Sequence, residues 1–221
     1  MSTIVTPAHR PKSRAKLVFF LVFGVLTIFV TYMKNRGFFD PSSPTAQRYE
    51  PALGYLYVHG FFGALAMLLG VFQLSNRLRG RYLKVHRALG YVYVVSVFVA
   101  APFAIPVAMK IDSLSLVAAS GFQAFGWMAT TAIALYCVRN GNIVQHRRWM
   151  IRSYFFAMVF TVARLVIPIP PIMNLGVTGV EMVVWVTIAL AAFLPDVLLD
   201  WRAIVTRPAT KQTMATALDQ A

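Results

Sequence analysis

His59, His86 and His146 each lie within or beside a long apolar run, with Gln73, Gln123, Arg164, Glu181 and Asp196 in comparable settings. These side chains have the means to do chemistry. An imidazole can ligate a metal, carry a proton near neutral pH, or donate to a carbonyl. Ionisable and amide groups inside a bilayer are costly, which makes them functional candidates. Position along the runs sorts them into two groups. His59, Gln123, Arg164 and Glu181 fall towards one end, and Gln73, His86, His146 and Asp196 towards the other. An arginine and a glutamate at one depth are expected to pair, because either charge alone is expensive there.

His86 and His146 form the sharper pair. Each precedes an arginine and opens an apolar run after an arginine-rich turn. Two neutral imidazoles facing each other across a helical bundle can ligate a haem iron from both sides. His86 and His146 are therefore nominated as metal or cofactor ligands, with one b-type haem or a quinone between the third and fifth spans. The competing reading places both beside Arg87 and Arg147 in surface turns, touching lipid phosphate. His59 has its own plainer reading as a hydrogen-bonded interhelical histidine, and His9 lies in the N-terminal tail with no role assigned.

Positioning these residues requires membrane helices. The chain is 58% hydrophobic and 13% charged, about half the charge of a soluble domain. A net charge of +14 raises the question of nucleic acid, but Lys and Arg sit in short clusters between apolar runs, so no basic stripe lines a soluble fold and no nucleic-acid partner is expected. One cysteine, Cys137, excludes an internal disulfide framework. P-loop, His-Glu-x-x-His and G-x-S-x-G patterns are absent.

A bilayer core of ~30 Å needs ~20 apolar residues in a helix. Six segments qualify: residues 17–33, 53–74, 88–109, 114–138, 149–167 and 177–199. The expected organisation is a basic tail over residues 1–16, a six-helix transmembrane domain over 17–200, and a second tail over 201–221. Arg10 to Lys16, Arg77 to Arg87, Arg139 to Arg152 and Arg202 to Lys211 place every basic cluster on one side of a six-span path. Basic loops stay in the cytoplasm, so an inner-membrane protein with both termini cytoplasmic is expected. The first span lacks a small-x-small cleavage site before Lys34 and reads as an uncleaved helix.

The chain also repeats itself. Residues 59–93 and 120–154 both read as helix, arginine-rich turn, His-Arg, helix. Two parallel hairpins related by an axis along the membrane normal are expected, giving an all-α protein with a four-helix core of spans two to five. On the second span His59, Gly63, Ala66, Gly70 and Gln73 share a face; on the fifth, His146, Met150, Ser153, Ala157, Thr161 and Arg164 do. Gly63 and Gly70 are expected to admit a neighbouring helix.

At His59-Gly60, Gln73, Arg81, His86-Arg87, Gly90-Tyr91-x-Tyr93, His146-Arg147-Arg148-Trp149-Met150-x-Arg152-Ser153-Tyr154 and Arg164, the chain resembles a bacterial family of predicted membrane proteins, domain of unknown function 2306. The likeness covers roughly residues 55–200. It implies a multi-helix membrane protein and carries no established activity. A looser likeness joins it to b-type cytochromes of membrane electron transfer, which commonly carry two histidines on one helix. Here no helix carries two, so two stacked haems are not expected. Three function classes remain: a redox protein with one haem or a quinone; a transporter or lipid-binding protein using His59, Arg164 and Glu181; and a structural or assembly factor. The lipid bilayer is the expected partner, and a homo-oligomer is compatible with the sequence.

Overall fold

The computed structural model describes residues 42–205 and, before them, residues 22, 25–26, 28–29, 32–33 and 36–40. Apart from those isolated helical positions, the expected first span and N-terminal tail lie outside the described residues, as does the tail beyond residue 205. The described residues are helical throughout. A short α1, Pro44–Tyr49, leads through a 3-10 turn, Glu50–Ala52, into α2, Leu53–Gln73. There follow α3, Asn76–Arg81; α4, Leu83–Ala108; α5, Leu114–Arg139; α6, Ile143–Val166; the one-turn α7, Pro170–Met173; and α8, Gly176–Val205. Five of these helices are long and apolar enough to cross a bilayer.

Local chemistry sets the turns. The side chains of Ser75, Ser113 and Asn142 accept from Leu78 N, Leu116 N and Gln145 N, at 3.3, 3.1 and 3.1 Å. Each satisfies one of the unpaired amides that open a helix. Between α5 and α6, Gly141 takes a φ of 74°, a left-handed conformation that ends a helix cheaply only at glycine. α4 and α6 begin earlier than hydropathy indicates, at Leu83 and Ile143 instead of 88 and 149. Their first six residues carry Lys84 and Arg87, or Arg147 and Arg148, which lower the apolar character without breaking a helix. His86 and His146 are consequently the fourth residues of two long helices.

α2 packs on α4, α4 on α5, α5 on α6, and α6 back on α2, closing a ring of four antiparallel helices. α4 and α6 face each other across one diagonal. The α2–α4 approach is close because α4 presents the small buried residues Ala100, Ala101, Ala104 and Ala108. Pro102 and Pro106 sit in the same helix, which continues through both. α8 lies outside the ring against α6 and α5, adding Val184, Ile188 and Ala191 to the core. Arg148–Asp200, at 2.6 Å, and Arg152–Asp196 fasten α6 to α8 at the basic end. At the other end the Trp185 indole donates to Ser115 Oγ at 3.1 Å. Phe125, Phe193 and many other large apolar residues point outward, a surface that suits lipid and would aggregate in water.

Candidate functional site

A cavity lies at each end of the bundle. The basic-end cavity, about 690 Å³, lies among α2, α3, α4, α5 and α6. Gln73, His86 and His146 all line it, together with Arg79, Arg87, Arg139 and Arg147 and apolar walls that include Leu83, Val94, Leu135 and Met150. Among the described residues, no Asp or Glu lines it. His146 Nδ1 lies 2.8 Å from Ala134 O. A carbonyl only accepts, so that nitrogen carries the proton and Nε2 keeps its lone pair in the neutral ring. His86 Nδ1 and Gln73 Nε2 are buried with no hydrogen-bond partner. Gly90 makes room for the Gln73 amide, since a Cβ there would stand 3.3 Å from Oε1. Arg79 donates to Asn76 Oδ1 at 2.5 Å; burial and then the like charge of Arg147 hold its guanidinium below its usual pKa. Converging cations without an acid make the cavity a place for an anionic group.

The second cavity, about 570 Å³, opens at the opposite end and shares no lining residue with the first. His59, Gln123 and Arg164 line it, with Gly63, Trp127 and Phe160 among the rest. His59 Nδ1 is 2.9 Å from Ala100 O. Gln123 is buried, its Nε2 donating to Phe156 O at 3.2 Å and its Oε1 having no partner.

Two acidic residues do not join the groups their depth indicated. Glu181 accepts from Ser113 Oγ at 2.5 Å and does not pair with Arg164. The ion pairs among the described residues are Arg148–Asp200 and Arg152–Asp196, so Asp196 serves the α6–α8 seam and not the cavity. Depth along a helix says nothing of azimuth, and α8 stands outside the ring. Gly63 also departs from expectation: nothing lies within 4 Å of a Cβ there, because it faces the second cavity. At Gly70 a Cβ would collide with the ring of Tyr154 and approach Tyr93 to 3.3 Å, so side chains fill the space expected for a helix.

Between the cavities lies a buried polar ring whose closure the sequence did not reveal. Trp127 Nε1 donates to Tyr93 Oη at 3.4 Å; Tyr93 Oη and Ser153 Oγ are 2.7 Å apart; Ser153 Oγ and Thr131 Oγ1 are 2.7 Å apart; Thr131 Oγ1 donates to Trp127 O at 2.7 Å. The end donors fix the direction. Each hydroxyl accepts once and donates once, and the circuit starts and ends at Trp127. Trp127 and Thr131 are one turn apart on α5, a spacing that is visible in the sequence but unremarkable until Tyr93 and Ser153 face it.

These features define a polytopic helical membrane protein with a cavity at each end, mostly apolar and set with a few polar side chains. Residues 56–204 match the family described as predicted membrane protein (DUF2306), and the chain belongs to that family. No curated protein and no solved structure matches it.

Proposed function

We propose that this is a membrane redox protein whose basic-end cavity would hold one b-type haem, with His86 and His146 as the residues that would ligate its iron. In this reading the basic end faces the cytoplasm, the first span completes six, and the paired histidines reflect two duplicated hairpins. The observation that carries it is the equivalence of the two histidines: each is the fourth residue of its helix, and both line one cavity. The surroundings fit a flat dianion. Apolar walls suit the macrocycle, and four arginines without an acid suit its propionates. Ala134 O holds His146 in the tautomer that leaves Nε2 free to ligate, the usual role of a carbonyl behind a metal-bound histidine. A haem with two imidazole ligands carries one electron at a potential set by ligation and burial. The chain's own task is to orient the imidazoles, neutralise the propionates and keep water from the faces of the ring.

The test is the absorption spectrum of protein purified from haem-replete cells. A Soret band with the sharp reduced α and β bands of a six-coordinate b haem is expected. Folded, stable protein without haem would overturn the reading. The arginine cluster would then favour the second reading, a site for the phosphate of a lipid headgroup.

A further inference from the structure

The second cavity presents a specific set of hydrogen-bonding groups. The Nδ1 proton of His59 is committed to Ala100 O, so the neutral ring offers Nε2 as an acceptor. The orientation of the Gln123 amide is fixed by Phe156 O, which accepts and therefore faces the NH2. That leaves Gln123 Oε1, buried and unpartnered, as a second acceptor. Arg164 supplies only donors, and no carboxylate among the described residues lies within ion-pair distance of it. His59, Gln123 and Arg164 thus bring two acceptors and a cationic donor to a cavity whose wall is otherwise mostly apolar and aromatic, including Leu56, Phe61 and Phe160, with the hydroxyl-bearing Tyr32, Tyr57 and Thr161 among the rest; Gln123 Oε1 is closed off within that wall and unpartnered.

From this set we infer that the second cavity binds the hydroquinone head of a lipid-soluble quinol. Its two phenolic O–H groups donate to His59 Nε2 and Gln123 Oε1, and a ring oxygen accepts from Arg164. An acidic amphiphile satisfies Arg164 but brings no proton for the acceptors. An oxidised quinone likewise offers acceptors alone, leaving Gln123 Oε1 buried and unpaired, a costly arrangement. This inference concerns the end away from His86 and His146 and does not rest on the haem reading.

Equilibrium dialysis of the purified full-length protein in detergent, with decylubiquinol, decylubiquinone and decanoate as probes, tests it. The quinol is expected to bind about tenfold more tightly than the quinone or the acid, the worth of a buried acceptor gaining its donor. Gln123→Leu should weaken quinol about tenfold and leave quinone unchanged. Gly63→Leu, which projects into the cavity where a Cβ meets nothing, should abolish quinol binding without touching any hydrogen-bonding group. Quinone or decanoate binding as tightly as quinol, no quinol binding, or quinol binding undiminished in Gly63→Leu would each overturn the inference. If Gln123→Leu does not fold, the wild-type ranking and Gly63→Leu decide it.

Discussion

Tyr93 Oη and Ser153 Oγ meet at 2.7 Å across the diagonal of the helix ring, and each stands seven residues after one of the paired histidines. Seven residues is about two turns of helix, so His86 and His146 project from the same two faces, two turns nearer the basic end. The Tyr93–Ser153 contact gauges how those faces oppose each other.

If the two histidines act on one ligand, their losses should match. His86→Ala and His146→Ala are expected to remove the six-coordinate spectrum to a similar degree, and the double substitution to add little. His59→Ala should leave that spectrum intact, since His59 lines the other cavity. A spectrum lost with His86 but kept with His146 would separate the pair.

The polar ring should be stiff and mutually dependent. Tyr93→Phe strips Trp127 Nε1 of its acceptor and Ser153 Oγ of its donor in a buried site. A loss of about 1–3 kcal/mol is expected, the penalty of unsatisfied buried groups. Thermal unfolding in detergent measures it. Adding Thr131→Val to Tyr93→Phe should cost less than the sum of the single changes, because the ring is already open.

Packing at the two glycines of α2 should differ sharply. Gly70→Ala forces a methyl group into Tyr154 and is expected to cost about 1–3 kcal/mol, the range of overpacked cores. Gly63→Ala enters open space and should be tolerated. Folded yield by size-exclusion chromatography distinguishes them, and equal yields would count against the placement of the Tyr154 ring.

Much of the arrangement was legible from residue order because bilayer helices announce themselves by apolar length. Where it failed, the cause was local. Lys84 and Arg147 depress hydropathy in opening residues that are nonetheless helical, so apolar length alone places two starts five or six residues late. Gly63 and Gly70 share a spacing, yet one faces a cavity and the other a tyrosine, a difference that depends on what the opposite helix brings. Glu181 has the depth to meet Arg164 but hangs from a helix outside the ring. Gln73, His86 and His146 come together in one cavity, whereas the Ala134 carbonyl behind His146 left no mark in the sequence, being backbone.

Helix alternation gives a further check. The turns at Arg79 and Asn142 lie at one end of the ring, and those at Ser113 and Met173 at the other. Reporter fusions at Arg79 and Asn142 are expected to report the cytoplasm, and those at Ser113 and Met173 the outside. A fusion at Asn142 reporting the outside would break the proposed orientation.

The ring of Trp127, Tyr93, Ser153 and Thr131 works as a septum. The cavities on either side share no wall residue, and the buried circuit stands between them. Its protons are also spoken for: every donor in the circuit is already engaged, and relaying one more would mean reversing the whole circuit. On the redox reading proposed above, such a partition would still let an electron tunnel, and the bundle would serve less as a conduit than as an insulator with a contact at each end.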